Sequence, residues 1–135
     1  MIQVKNISKS FSGLEILKDI SFEFEKGKTN LIIGKSGSGK SVLTKCIVGL
    51  FEPDNGEVYY NDRNFLKLKS KEKKEVRKEM GMLFQGSALF DSFSVEENVA
   101  FPLRMFTQMI NVEISERVNF CLNRVDIVNK NSLYP

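Results

Sequence analysis

Residues 34–41 combine glycines, hydroxyl side chains and a lysine at a spacing that could bind phosphate. The stretch reads Gly-Lys-Ser-Gly-Ser-Gly-Lys-Ser and matches the pattern G-x-x-x-x-G-K-[ST]. Glycines let the main chain curve so that successive N–H groups face phosphate oxygens, and a following helix adds about half a positive charge at its N-terminus. The predicted chemistry is binding of a nucleoside triphosphate's phosphate tail. The alternative is a glycine-rich turn between a strand and a helix.

Individual residues of this loop have different expected tasks. Lys40 would reach the β- and γ-phosphates, and Ser41 would offer its hydroxyl to Mg²⁺, a cation that prefers oxygen ligands. The expected nucleotide-binding residues of the loop are Gly34, Ser36, Gly37, Ser38, Gly39, Lys40 and Ser41.

The elements on either side of the loop fit an α/β fold. Apolar and polar residues alternate over 2–4 and 20–24, which predicts strands of an antiparallel sheet. A buried strand is predicted over Thr29–Ile33, directly before the loop, and a helix over Gly39–Leu50 directly after it.

The rest of the chain alternates strand and helix. We predict strands over 57–60 and 80–84 and helices over 70–79 and 111–125. Ser94 to Glu97 form a capping box that opens a short helix, and Pro102 is expected to limit that helix.

Composition narrows the class of protein. The 135 residues are 41% hydrophobic and 27% charged, which is typical of a globular domain, and no apolar run approaches the roughly 20 residues of a membrane span. The expected location is therefore the cytoplasm. Cys46 and Cys121 lack metal-site spacing and the chain has no histidine, so both are expected to be buried bystanders. The basic run 67–79 favours a solvated helix face over a nucleic-acid surface.

With their flanking residues, these motifs resemble the nucleotide-binding domain of ABC transporters over essentially the whole chain. The resemblance implies that residues 34–41 are the Walker A loop, that Phe11 stacks on adenine, and that Gln85 is the Q-loop glutamine, which touches Mg²⁺ or the attacking water. The implied catalytic residues are Lys40 and Gln85, the implied metal contacts Ser41 and Gln85, and the implied cofactors ATP and Mg²⁺. Core packing for Phe11 and a polar strand end at Gln85 are the alternatives.

The resemblance also implies an architecture. It is a P-loop (RecA-like) core with an N-terminal antiparallel β subdomain and the start of a helical subdomain. Residues 1–28 and 57–66 would be antiparallel β, 29–50 the P-loop strand and helix, 80–85 the Q-loop strand, and 86–135 the beginning of the helical subdomain. The family's LSGGQ signature, Walker B strand and switch histidine would follow Gln85, and none is in the sequence. We therefore expect the front part of a domain with an incomplete sheet, weakly stable and without ATPase activity.

A narrower resemblance involves residues 82–91 and 94–103, which look like those of the Mla-type ATPases. Members of that group drive phospholipid trafficking together with an MCE-domain partner. Phe90 and Phe93 would then lie near the groove for the permease's coupling helix, although plain packing is an equal alternative.

The partners implied are an integral-membrane permease and a second ATPase subunit, on the inner face of the cytoplasmic membrane. One alternative is an ABC ATPase of another transport system. A second is a soluble ABC protein acting on nucleic acid, although a strongly basic surface and a tandem second domain are missing and no nucleic-acid partner is expected. A third is a P-loop small-molecule kinase, in which Phe11 would have no role.

Overall fold

A computed structural model describes residues 1–84, 86 and 88–135. The chain forms two compact units, Met1–Gly81 and Met82–Pro135. The first unit contains an antiparallel sheet, two α-helices and a short 3-10 helix (Phe65–Lys67), and the described residues of the second unit contain two α-helices. Gln85, the predicted Q-loop residue, lies outside the described residues.

The sheet of the first unit has four antiparallel strands. They are β1 (Ile2–Phe11), β2 (Leu14–Phe24), β3 (Asn55–Tyr60) and β4 (Arg63–Asn64). Their order across the sheet is β2-β1-β3-β4, so that Ile2 pairs with Phe24 on one side and with Tyr60 on the other. The N-terminal antiparallel sheet expected from the alternating residues is confirmed.

A two-residue turn joins β1 to β2. Ser12 and Gly13 both have positive φ, 49° and 82°, which is the geometry of a tight hairpin whose twist matches its strands. Phe11 therefore pairs with Leu14 directly across the turn. The pairing register shifts repeatedly between Val4 and Ser10, and such irregularities bend a strand.

Helix α1 (Lys40–Ile47) packs its apolar side against this sheet and ends at a glycine. Gly49 has φ 73°, its N–H donates to the Cys46 carbonyl at 3.1 Å, and the Leu50 N–H donates to Lys45 at 2.8 Å. This is a Schellman motif, which needs a left-handed residue at that position. The predicted helix over 39–50 is thus present and ends earlier than expected.

Helix α2 (Ser70–Lys78) confirms the exposed helix predicted over 70–79, and its one buried residue, Val76, closes the core of the first unit. Between the sheet and the two helices lie the buried residues Val4, Ile7, Leu17, Leu43, Cys46, Ile47, Val58, Tyr60, Phe65 and Val76. Cys46 is a member of this core, as predicted, whereas Cys121, also predicted to be buried, is only half-buried.

The predicted strands over 29–33 and 80–84 are wrong for this structure. Neither segment pairs with any described strand, and Leu31 and Ile33 are each 82% exposed. A strand needs a neighbour to hydrogen-bond its main chain, so an apolar run without a partner forms no ladder. Residues 29–33 and 80–84 thus have the composition of strands, but no described strand pairs with them.

The second unit is a pair of packed helices, α3 (Val95–Phe106) and α4 (Asn111–Arg124). The predicted capping box is confirmed: Glu97 N–H donates to Ser94 Oγ at 3.2 Å, and Ser94 N–H donates to Glu97 Oε2 at 2.7 Å. The buried contacts between the helices are made by Ala100, Ile114, Val118 and Leu122. Among the helices of the described residues, none is both long and apolar enough to cross a membrane.

Helix α3 continues past Pro102, so the expected early limit at this residue is wrong. Proline removes one helical N–H, and its ring crowds the preceding turn. On both sides of Pro102, however, Ala100 and Leu103 pack against the apolar side of α4. Tertiary packing therefore outweighs the local cost of the proline. The helix ends at Phe106, and the N–H of the next residue, Thr107, donates to the Leu103 carbonyl.

Tyr60 supplies a prediction about stability. Its hydroxyl donates to the Ile47 carbonyl at 2.9 Å, and burial raises its pKa to about 12. Tyr60→Phe leaves that carbonyl without its partner and should lower the free energy of unfolding by about 1–2 kcal/mol, measured by guanidinium unfolding near pH 7.

The same contact should make stability depend on pH. The folded pKa of Tyr60 lies above the ordinary value of 10, so folding favours the protonated hydroxyl. Its contribution is complete below pH 10 and is lost as the pH rises toward 12. This alkaline loss should be smaller in Tyr60→Phe than in Tyr134→Phe, which alters an exposed tyrosine. Equal losses in both variants would contradict the role assigned to burial.

Candidate phosphate-binding site

The loop 34–41 connects the unpaired segment 29–33 to α1. Gly34 and Lys35 open it without regular structure, and the Ser38 N–H donates to the Lys35 carbonyl at 3.2 Å, which forms a tight turn. Gly37, inside the turn, has φ 77°, a region that residues with a Cβ rarely adopt. A Cβ on Gly34 would lie 2.6 Å from Ser38 Oγ, so the loop is closed tightly upon itself.

Lys40, the first residue of α1, turns its side chain back over the loop. Its Nζ donates to the carbonyl oxygens of Gly34 and Lys35, each at 2.8 Å. The ammonium group therefore spans the beginning of the loop and the beginning of the helix. An ammonium has three donors, so one is left for a further acceptor.

Gly39 lets the loop approach strand β2. Its φ is 89°, and a Cβ there would lie 3.0 Å from Ile16 Cγ2 and 3.0 Å from Leu17 Cδ2. Both distances are shorter than ordinary contacts between carbon atoms. Nothing in the sequence predicted that β2 holds the loop, because Ile16 and Leu17 precede Gly39 by more than twenty residues.

The donors and charges of this loop suit an anion. The first helical hydrogen bond runs from the Leu43 N–H to the Gly39 carbonyl, so the main-chain N–H groups before it have no acceptor within the helix. No described side chain caps this end of α1, and no acidic residue occurs in its first turn. The residues present therefore fit a phosphate group, which they would hold with N–H donors, the helix N-terminus and the Lys40 ammonium.

A magnesium ion would need help from its nucleotide. Ser41 is exposed in the first turn of α1 and offers one hydroxyl oxygen. The described part of the chain contains no cluster of three His, Cys, Asp or Glu side chains able to hold a metal. Mg²⁺ usually retains water and phosphate oxygens beside one or two protein ligands, so a single Ser41 fits that pattern.

Phe11 lies on the hairpin beside the loop. Its ring contacts that of Phe51 edge-on, with centroids 5.4 Å apart, and Phe11 as a residue remains 41% exposed. Lys9 pairs with Leu17, which borders Gly39, and Phe11 follows two residues later, about 7 Å farther along the strand. The structure thus brings Phe11 to the same end of the unit as the loop.

A cavity of about 460 Å³ separates β2 from the segment 30–33 and the end of the loop. Its wall is apolar along Ile20 and Phe22 and polar at Ser38 and Lys40. The loop therefore borders an open, largely apolar space on its sheet side.

In the second unit, Phe90 and Phe93 form an aromatic cluster with Phe101, with centroids 4.8–6.0 Å apart. Sequence reasoning missed the residue that organises this cluster. The Asn98 side-chain amide accepts from the Phe90 N–H at 2.9 Å and donates to the carbonyls of Phe90 and Phe93 at 3.1 and 3.0 Å. The sequence signal that could have identified Asn98 was its position, four residues after the N-cap Ser94.

The contact at Gly39 gives a testable difference between two glycines. Gly39→Ala introduces both a strained φ and an overlap with β2, whereas Gly37→Ala introduces a similar φ with nothing within 4 Å. Gly39→Ala should therefore lower the free energy of unfolding by about 1–3 kcal/mol more than Gly37→Ala. Denaturant unfolding of both variants measures the difference, and equal effects would show that β2 does not restrict the loop.

Comparisons with known proteins identify the family of the chain. The sequence profile of the ABC transporter family matches residues 17–134. The chain is 41% identical over 135 residues to the methionine import ATP-binding protein MetN of Clostridioides difficile, covering all of this chain and 42% of that protein. It is 39% identical over 134 residues to the phosphonates import ATP-binding protein PhnC of Fusobacterium nucleatum, covering 94% of this chain and 54% of the relative.

A solved structure shows the same fold. The dimeric ATP-binding cassette MJ0796, bound to ADP and Pi after hydrolysis, superposes with a TM-score of 0.91 at 28% identity. The match covers all of this chain and 62% of that one, and the chain spans about two fifths of the MetN relatives. The matched profile, the identities and the superposition together show that the chain belongs to the ABC transporter family of ATP-binding proteins.

Proposed function

We propose that this chain binds MgATP through the Walker A loop 34–41, as part of the ATPase subunit of an ABC transporter. The observation that carries the proposal is the Lys40 ammonium held across the loop by the Gly34 and Lys35 carbonyls, at an uncapped helix N-terminus. A phosphate tail would meet the ammonium, the main-chain donors and the helix end together. The family's ATP-binding relatives support the choice of nucleotide.

Phe11 would give the nucleotide a second contact. Its partly exposed ring lies two residues beyond the Lys9–Leu17 pair that borders the loop, which supports a contact with the base of a nucleotide whose phosphates the loop holds. The ring can offer a stacking surface to adenine. Ser41 would complete the site with an oxygen ligand for Mg²⁺, and Gln85 is proposed from the family resemblance alone.

The transport role extends the proposal beyond this chain. Two relatives are named as import ATP-binding proteins, and the cassette MJ0796 was solved as a dimer, which supports a second ATPase subunit and a membrane permease as partners. The proposed location is the inner face of the cytoplasmic membrane. The aromatic cluster of Phe90, Phe93 and Phe101 is the surface that we propose for the permease's coupling helix.

The kind of solute is decided elsewhere in such a transporter. Phospholipid trafficking is supported only by the likeness of residues 82–103 to the Mla-type ATPases. The named relatives import methionine or phosphonates, which favours a small polar solute. We therefore assign nucleotide binding and coupling to this chain, and the choice of solute to the permease.

A nucleic-acid partner receives less support from the structure than a transporter does. In the basic run, Lys67 lies 2.6 Å from Glu57 and Lys78 lies 2.9 Å from Glu75. The Lys78–Glu75 pair lies on α2, as expected for a solvated helix face, whereas the Lys67 pair joins the short helix 65–67 to β3.

Isothermal titration calorimetry with MgATP tests the binding proposal. Lys40→Ala should weaken ATP binding at least about tenfold, because a charge pair at 4 Å is worth about 4 kcal/mol at an effective dielectric of 20 before desolvation. The matched control Lys71→Ala removes the same charge from exposed α2 and should change the affinity less than about twofold. Equal affinities for Lys40→Ala and the unchanged chain would refute the proposal.

The chain alone should bind ATP without turning it over. In the family the carboxylate that polarises water comes from the Walker B strand, which would follow Gln85 and is not in the 135 residues. Phosphate release by the purified chain with Mg²⁺ should match that of buffer. Turnover that requires Mg²⁺ and disappears in Lys40→Ala would contradict this expectation.

A further inference from the structure

Asp54 binds the end of strand β1 through both of its carboxylate oxygens. Oδ1 accepts from Lys9 Nζ at 2.7 Å, and Oδ2 accepts from the Ser10 main-chain N–H at 2.6 Å. The Asp54 N–H donates in turn to the Ser8 carbonyl at 2.9 Å. One residue thus fixes three consecutive residues that lead directly to Phe11.

The contact of Asp54 with Ser10 lies beyond the point where the pairing between β1 and β3 ends. The β1–β3 ladder ends at the pair Ser8–Asn55, so β3 offers no residue opposite Ser10. On the β2 side, the register shifts between Lys9 and Ser10. The Asp54 carboxylate therefore takes the place of the missing strand partner where β1 is least regular.

Lys9 connects the same carboxylate to the ring of Phe11. Its Nζ lies 2.7 Å from Asp54 Oδ1 and 5.4 Å from the Phe11 centroid, a distance at which a cation is attracted to an aromatic face. Phe51 contacts the ring edge-on. Phe11 is held by the lysine and by Phe51, while part of its surface remains open.

The carboxylate is charged when it makes these contacts. The hydrogen bond from Lys9, followed by that from the Ser10 N–H, holds the pKa of Asp54 below its usual range. Asp54 is therefore ionised at neutral pH and can hold the ammonium group over the ring.

We propose that Asp54 is a positioning residue that presents the open face of Phe11 to the nucleotide base. It acts through the Ser10 main chain and the Lys9 ammonium and does not itself contact the nucleotide. The proposal rests on the function proposed above, in which loop 34–41 binds the phosphates and Phe11 stacks on adenine. It predicts that the loss of Asp54 weakens recognition of the base and leaves recognition of the phosphates intact.

Two ligands separate these contributions in the 135-residue chain. Isothermal titration calorimetry with Mg²⁺ compares ATP with inorganic tripolyphosphate, which lacks the base. The ratio of the two affinities reports the base contact and cancels general changes in charge near the loop. Phe11→Ala should lower this ratio about tenfold, in the range found when a base loses an aromatic partner.

Asp54→Ala should lower the ratio nearly as much as Phe11→Ala and change tripolyphosphate binding less than about twofold. The double variant should show no further loss than Phe11→Ala alone, because both act on one contact. Asp54→Asn keeps one acceptor for the Ser10 N–H and should retain part of the ratio. Glu52→Gln, which neutralises a carboxylate in the same turn, is the matched control and should keep the ratio of the unchanged chain.

Circular dichroism checks that each variant folds. If Asp54→Ala does not fold, Asp54→Ser replaces it in the same measurements with the same expected ratio. Serine suits turns, but its side chain is too short to reach Lys9 and Ser10 together. An unchanged ratio in a folded variant lacking the carboxylate, beside a lowered ratio in Phe11→Ala, would overturn the inference. An equal loss for both ligands would overturn it as well. If the unchanged chain bound neither ligand, the proposed function itself would fall.

Discussion

The close approach of Gly39 to strand β2 is the constraint on which the rest of the first unit depends. The residue has φ 89°, and a Cβ there would lie only 3.0 Å from the side chains of Ile16 and Leu17. Because Leu17 pairs with Lys9 in β1, this contact also sets the loop relative to the hairpin that carries Phe11. The antiparallel sheet therefore supports the loop 34–41 on the same hairpin that carries Phe11.

The electrostatics of the loop 34–41 favours a negatively charged ligand. The first turn of α1 has donors and a helix N-terminus but no acidic residue, and Lys40 adds a full positive charge beside them. Carbonyl oxygens hold the ammonium in place before any ligand is considered. Such an arrangement is organised for an anion in advance, so little ordering remains to be done when phosphate binds.

The sequence predicted features that depend on neighbouring residues better than features that depend on distant partners. The loop, the capping box at Ser94 and the antiparallel sheet follow from local spacing and were all expected. The strands over 29–33 and 80–84 were expected from apolar runs but need partner strands that no local pattern supplies. Pro102 shows the reverse error, since packing between α3 and α4 maintains a helix that local preference would end.

The candidate site shows the same difference between features set by neighbouring residues and features set by distant ones. Lys40 and the glycines were identified from their spacing, whereas the contacts of Asp54 with Lys9 and Ser10 join residues more than forty positions apart. Nothing near Asp54 in the sequence distinguishes it from an ordinary turn aspartate in Pro-Asp-Asn-Gly. Its contacts with Lys9 and Ser10 depend on β1 and β3 lying side by side in the sheet.

The most direct measurement is an amide NMR titration of the ¹⁵N-labelled chain with MgATP. If the loop holds the phosphate tail, the largest shifts should fall on the main-chain N–H groups of residues 36–42, with smaller shifts around Phe11. Shifts that left this segment unchanged and concentrated elsewhere, for example along α4, would contradict the account.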